Sequence, residues 1–182
     1  EFEHVIGVDY NGTIKRYHAS PSSPVWEDQP DTTNAYDAAL SPDRSTVYFA
    51  HSDGNVYAYN AYTGVQQWSY TATDDHAVDV GPSGTVYVGV SDMDTTPGLL
   101  ALNPSGGKEY KVSTSSGFNE VAVPNDGSAV YGRVGTGSLV SHNPSDRQQN
   151  WSVSVTNLQD ISVLTSGEPV TTPLYASVTA TP

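Results

Sequence analysis

VYFAHSDGNVYAYNAYTGVQQW, residues 47–68, holds two short runs rich in Val and aromatic residues, joined by Ser-Asp-Gly. A Tyr-Thr-Gly turn follows, and then a third run that carries a Trp. Runs of this length and composition read as strands, and the Asp-Gly junction reads as a hairpin turn. The unit recurs. Trp26, Trp68, Tyr110 and Trp151 stand 42, 42 and 41 residues apart. Ahead of each aromatic lies a strand of one pattern: GTIKRYH (12–18), GNVYAYN (54–60), GLLALN (98–103) and GSLVSHN (137–143). Before these come HVIGVDYN (4–11), TVYFAHSD (46–53), TVYVGVSD (85–92) and AVYGRVG (129–135). DAALSPDRS (37–45), VDVGPSG (78–84) and EVAVPNDGS (120–128) come earlier still. A fixed period with four coincident signals predicts repeated four-stranded units.

A single four-stranded sheet cannot cover both of its faces. Stacked around an axis, such sheets cover one another, with a large ring in each gap. The expected fold is therefore all-β: a β-propeller of four-stranded antiparallel blades over residues 1–164. The blades are expected at about 4–28 plus 160–164, 35–70, 77–113 and 119–155. The first unit lacks an opening strand, and Asp160-Ile161-Ser162-Val163-Leu164 matches that pattern. Joining it to the N-terminal blade would close a ring of four and cover the open edges. PLYASVT (173–179) itself reads as a second strand. Residues 165–182 are thus a C-terminal extension or the start of a further blade, the alternative being part of a larger propeller.

The net charge of −13, from 20 Asp and Glu against 7 Lys and Arg, runs along the whole chain. Without basic clusters, nucleic acid and anionic lipid are unsuited as partners. No apolar stretch is long enough to insert into a membrane. The chain has no Cys, so no compartment follows from disulfides. It starts at Glu1 without an initiator Met or a signal peptide, as expected of a processed chain or a fragment. Two Asn-x-Ser/Thr sequons, at Asn11 and Asn150, are candidate glycosylation sites.

Asp37, Asp79, Glu120 and Asp160 recur 42, 41 and 40 residues apart, each in or at the start of a first strand. They are expected to gather near one end of the axis. There they would either bond the backbone of the neighbouring blade or hold Ca²⁺ or Na⁺. Asp92-Met93-Asp94 is a second candidate cation loop, without EF-hand spacing. Asp74-Asp75-His76 reads as a solvated connection. His4, His18, His51, His76 and His142 show no zinc spacing. His18 and His142 are expected at strand ends, bonded to the turns. No Gly-x-Ser-x-Gly elbow or Walker loop occurs, and nothing fixes a glycosidase carboxylate pair. No catalytic or cofactor-binding residue is assigned.

Residues 47–68 resemble the repeat of PQQ-like propellers, the quinoprotein type, in the turns DGNVYAYN and TGVQQW. AALSPDRSTVYFA (38–50) also resembles the YVTN propeller repeat. The likeness covers about 160 residues. It implies the propeller fold, whose members include quinone-dependent dehydrogenases, envelope assembly factors and surface-layer proteins. The dehydrogenases use more blades, adjacent cysteines, a metal-binding carboxylate and a catalytic Asp, and this chain has no cysteine. The composition resembles that of proteins from salt-loving archaea or their viruses. The function expected is a non-catalytic, extracellular, cell-surface or virion-surface propeller that recognises protein or glycan. A quinone-dependent or hydrolytic enzyme and a structural spacer are the alternatives.

Overall fold

The computed structural model describes residues 4–18, 23–31, 33–73, 75–91, 96–158, 160, 161 and 163; the side chains of Asp75 and His76 are also outside the description. The described residues form fifteen strands in four antiparallel sheets and contain no helix.

The first sheet holds β1 (His4–Val8), β2 (Ile14–His18) and β3 (Trp26–Asp28). The second holds β4 (Ala35–Leu40), β5 (Thr46–His51), β6 (Asn55–Asn60) and β7 (Gln66–Thr71). In the third are β8 (Asp75–Val80), β9 (Val86–Val90), β10 (Gly98–Leu102) and β11 (Lys108–Ser113). The fourth has β12 (Phe118–Ala122), β13 (Val130–Val134), β14 (Ser138–His142) and β15 (Gln149–Ser154). In every sheet the strands lie in sequence order, which is the blade arrangement expected. Asp75 and His76 open β8 rather than forming a connection. The first sheet has three strands, and Asp160, Ile161 and Val163 are not in a strand; Ser162 and Leu164 lie outside the described residues.

Successive sheets pack face to face. β1 lies against β4, β4 against β8 and β8 against β12. Strand pleating sends alternate residues to opposite faces, so each sheet has one face toward its predecessor and one toward its successor. Between the first two sheets, Ile14 meets Val47, Phe49, Tyr57 and Tyr59. Tyr48, Ala50, Val56 and Ala58 of the second sheet meet Val86, Val88, Val90, Leu100 and Leu102 of the third. Tyr87, Leu99 and Ala101 of the third meet Phe118, Val130 and Val140 of the fourth. Burying a side chain such as Phe49 or Leu102 contributes about 1.5–3 kcal/mol. The successor face carries small residues near the axis. At Gly89 an added Cβ would sit 2.5 Å from the carbonyl oxygen of Phe118.

Candidate functional site

Two of the four repeated carboxylates tie one sheet's inner strand to the next. Asp37, on β4, accepts the Val78 N–H of β8 at 2.9 Å through one oxygen and the Ala38 N–H at 2.8 Å through the other. Asp79, on β8, repeats the device one sheet later, accepting from Val123 at 2.7 Å and from Val80 at 2.8 Å. Each carboxylate so ties its sheet to the next. Glu120 departs from the pattern: Arg133 of its own sheet meets it at 3.3 Å.

Burial raises the pKa of Asp37 and Asp79 against the lowering effect of those N–H groups. Burial also raises Glu120, with Arg133 opposing. Asp79 and Asp160 act electrostatically on Asp37, and Asp37 and Asp160 act on Glu120. All four carboxylates therefore share one neighbourhood, with Asp160 exposed. Among the described residues no group of three or more His, Asp or Glu side chains is arranged to hold a metal ion. Asp92, Met93 and Asp94 lie outside the described residues, as does Asp74.

The repeated aromatics form a second set of ties. Trp26 donates its indole N–H to the Ala61 carbonyl at 3.1 Å, and its ring lies over Gly64 of the next sheet. Trp68 donates to the Pro104 carbonyl at 3.0 Å and covers Gly106. An added Cβ at either glycine would come within 2.7 Å of the ring, and both have positive φ, so the socket requires glycine. The third tie is different in kind. Arg147, at φ 64°, takes the turn position and places its guanidinium 4.9 Å from the centre of the Tyr110 ring. Trp151 packs against Tyr131 of its own sheet, with centroids 5.9 Å apart, and is 43% exposed.

The histidines divide. His4 and His18 face each other across β1 and β2, with ring centroids 4.6 Å apart. His51 is fully buried, its Nδ1 3.1 Å from Thr33 Oγ1 and 3.3 Å from Asp53, which also accepts from the Tyr57 hydroxyl at 2.5 Å. His142 is not bonded to a turn as expected. It pairs with Val130 and Gln149 inside the sheet, packs 5.6 Å from Phe118 and has neither ring nitrogen bonded; burial lowers its pKa. Asn11 lies exposed in the β1–β2 turn. Asn150, exposed on β15, donates from its amide to Ser141 Oγ at 3.4 Å.

The sequence reading had no signal for a cleft of about 600 Å³ between the third and fourth sheets. Ser113, Thr114, Ser116, Ser138, Gln149 and Ser152 line it, with Val134 and Val140 at its floor. Its origin is one cross-strand pair. The row that holds Tyr57–Ser69 in the second sheet and Leu100–Lys111 in the third holds Val140–Ser152 in the fourth. The smaller pair leaves space walled by neutral donors and acceptors.

Comparison with solved structures places the chain beside "Kuenenia stuttgartiensis Hydrazine Synthase", with a TM-score of 0.73 and 14% identity. The match covers 85% of this chain and 50% of that one, so this chain spans half the length of its structural neighbour. A likeness at that identity speaks to fold alone, and 1292 solved chains match. No curated protein matches the sequence. Residues 3–121 match the family described as "Outer membrane protein assembly factor BamB". With four blade sheets tied sheet to sheet by repeated carboxylates and aromatics, and a match across well over half its length, the chain belongs to this PQQ-like repeat family.

Proposed function

We propose that this propeller is a non-catalytic recognition or scaffolding body, secreted or displayed on a cell or virion surface, that binds protein or glycan. The observation that carries the reading is the engagement of the axial carboxylates. Asp37 and Asp79 each accept one backbone N–H from beyond their own sheet and one from their own strand, and Glu120 is paired with Arg133, so they act as structural ties. The cleft between the third and fourth sheets supports the same reading. Its hydroxyl and amide lining suits a neutral, polyhydroxylated ligand or a polar peptide. The family's description as an assembly factor points the same way, toward contact with other proteins. The acidic surface, with net charge −13, fits a protein working in high salt, where self-repulsion is screened.

Crosslinking mass spectrometry on native source material in high salt tests the proposal. Reproducible links from the blade loops to envelope or virion components, or retention of the purified protein on a glycan array, would support it. A copurifying quinone with dehydrogenase activity would replace it with the enzymatic reading.

A further inference from the structure

The fourth sheet departs from its own array at one place. In one row of the face turned to the preceding sheet, Tyr57–Ser69 of the second sheet and Leu100–Lys111 of the third give way to Val140–Ser152. In the row beside it, Tyr59–Gln66 and Leu102–Lys108 give way to His142–Gln149. Val140, Gln149 and Ser152 all line the cleft of about 600 Å³, a volume within the ~300–1,000 Å³ of small-ligand sites. Val140 is buried at the floor, while Thr136, Gln149 and Ser152 stand exposed. The backbone fixes the walls. The Gly135 N–H donates to the Gly117 carbonyl at 2.9 Å, the Asn119 amide to the Gly135 carbonyl at 3.0 Å, and the Val155 N–H to the Gly137 carbonyl at 2.8 Å. Across the cleft, the Thr114 hydroxyl donates to the Ser116 carbonyl at 2.7 Å. The other face of the fourth sheet holds Tyr131, Ser141 and Trp151 in one row and Arg133, Leu139 and Val153 in the next. No described strand covers that open face, and it takes no part in the cleft.

We infer that this cleft binds a short neutral oligosaccharide, with Ser138, Gln149 and Ser152 as its polar contacts and Val134 and Val140 under the apolar face of a sugar ring. The inference deepens the recognition reading above and rests on it. Hydroxyl and primary amide groups both donate and accept, as sugar hydroxyls do. Among the described residues, the side chains of Thr136, Ser138, Gln149 and Ser152 make no hydrogen bond to protein, so their capacity is open to a ligand. His142, the cross-strand partner of Gln149, is 4% exposed with neither ring nitrogen bonded. Buried polar groups in native proteins are seldom left unmet, and this one stands beside the same cleft. Charge narrows the ligand further. No charged side chain lines the cleft, and the chain carries a net charge of −13. An anionic sugar would find no cationic partner there, and a metal ion no carboxylate. A peptide would rely on a large apolar or aromatic anchor, and two valines give it little to fill. Walls already held by backbone bonds spare a weakly contacted sugar the cost of ordering them.

The experiment uses the full chain in high salt and saturation-transfer NMR. Maltotriose, mannotriose, chitotriose and galactotriose are the neutral probes, and trigalacturonate is the anionic one. The expected result is saturation transfer to at least one neutral trisaccharide and none to trigalacturonate. Two variants locate the contact. Val140→Leu with Ser152→Lys installs the third sheet's own pair, which fills this row there, and should abolish the transfer. Gln149→Ala removes an exposed side chain, keeps the fold and should weaken binding about tenfold, as for one well-used hydrogen bond. Transfer that survives the double variant, or affinity unchanged by Gln149→Ala, would place the sugar elsewhere and overturn the inference. Equal transfer to trigalacturonate would overturn it too, as would silence from every neutral probe. After any of these results, links to envelope or virion proteins in the crosslinking experiment would leave the recognition reading standing, whereas a copurifying quinone with dehydrogenase activity would remove both.

Discussion

The gap between the second and third sheets and the open face of the fourth are built on the same register, yet they hold different side chains. In the gap, Ala50 and Ala58 let the next sheet approach, and Trp68 closes the outer end over Gly106. On the open face the same two positions hold Arg133 and Ser141, and Trp151 stands out from a strand exposed along its length. Arg133 keeps its guanidinium on the carbonyl of Asn119 and on Glu120 of its own sheet. The difference shows which parts of the repeat are general and which are local. The knob and the pleat recur in every blade, while the small side chains of the inner rows, Ala50, Ala58, Gly89 and Ala101, are found where a described neighbour presses in.

The largest expected effect separates the two tryptophans. Trp68→Ala removes a half-buried ring and its indole hydrogen bond and should cost about 1–3 kcal/mol in chemical denaturation, while Trp151→Ala should stay within about 0.5 kcal/mol, as for a surface position. Equal losses would erase the distinction drawn here. Next comes the axial contact. Gly89→Ala forces a Cβ against the Phe118 carbonyl and should cost about 1–3 kcal/mol. Arg133→Ala, at the equivalent place on the open face, should cost no more than about 1 kcal/mol, since its ion pair is partly solvated. A third test concerns the carboxylate ties. Asp79→Ala strands the Val123 N–H and should cost about 1–2 kcal/mol, with Glu120→Ala costing less; the reverse order would show that the Arg133 pair carries the axis.

The smallest expected effect is a change in the shape of the pH profile. Asp37, Asp79 and Glu120 are raised in the folded protein. They bind protons more readily folded than unfolded, so their contribution is fully present below the ordinary carboxylate range and fades as pH rises through their raised values. Asp9, Asp43 and Asp126 are lowered, by hydrogen bonds from Thr13, from Ser41 and from Ser128 respectively. Their contribution is present above the ordinary range and is lost as pH falls through their lowered values. His142, lowered by burial, acts in the same sense as this second group, beginning near its unfolded value. Melting temperatures between neutral pH and pH 3 should pass through a mildly acid maximum. The triple variant Asp37→Asn, Asp79→Asn, Glu120→Gln should flatten the limb above it; an unchanged limb would remove the axial carboxylates as its cause.

Much of this architecture was legible in the residues because its signals are local and repeat. The strand pattern, the turns and the aromatic at each fourth strand need no long-range information, and the sheets fall where the 42-residue period puts them. Asp37, Asp79 and Glu120 share a place on first strands, as their spacing suggested, whereas Asp160 is not in a strand. Their division of labour did not follow, because it depends on Arg133, a side chain that replaces Ala50 and Gly89 and reaches Glu120 within its own sheet. His142 shows how register decides meaning. One residue further along, Asn143 sits in the turn and accepts from Ser145, as Asn60 accepts from Tyr62, while His142 points into the core. The cleft was hidden for another reason: it arises from the combined volume of Val140 and Ser152 on adjacent strands.

The ties between sheets run one way along the chain. Asp37 reaches β8, Asp79 reaches the start of the fourth sheet, and Trp26 and Trp68 each reach the turn of the sheet that follows. A body joined by repeated, directional couplings behaves like a row of railway carriages. A unit can be duplicated or lost by a genetic event at the 42-residue period, and where the Trp-over-Gly coupling is kept the remaining hook still meets an eye of the same shape. In such a lineage the number of blades is a variable that evolution can change with little redesign of the interfaces.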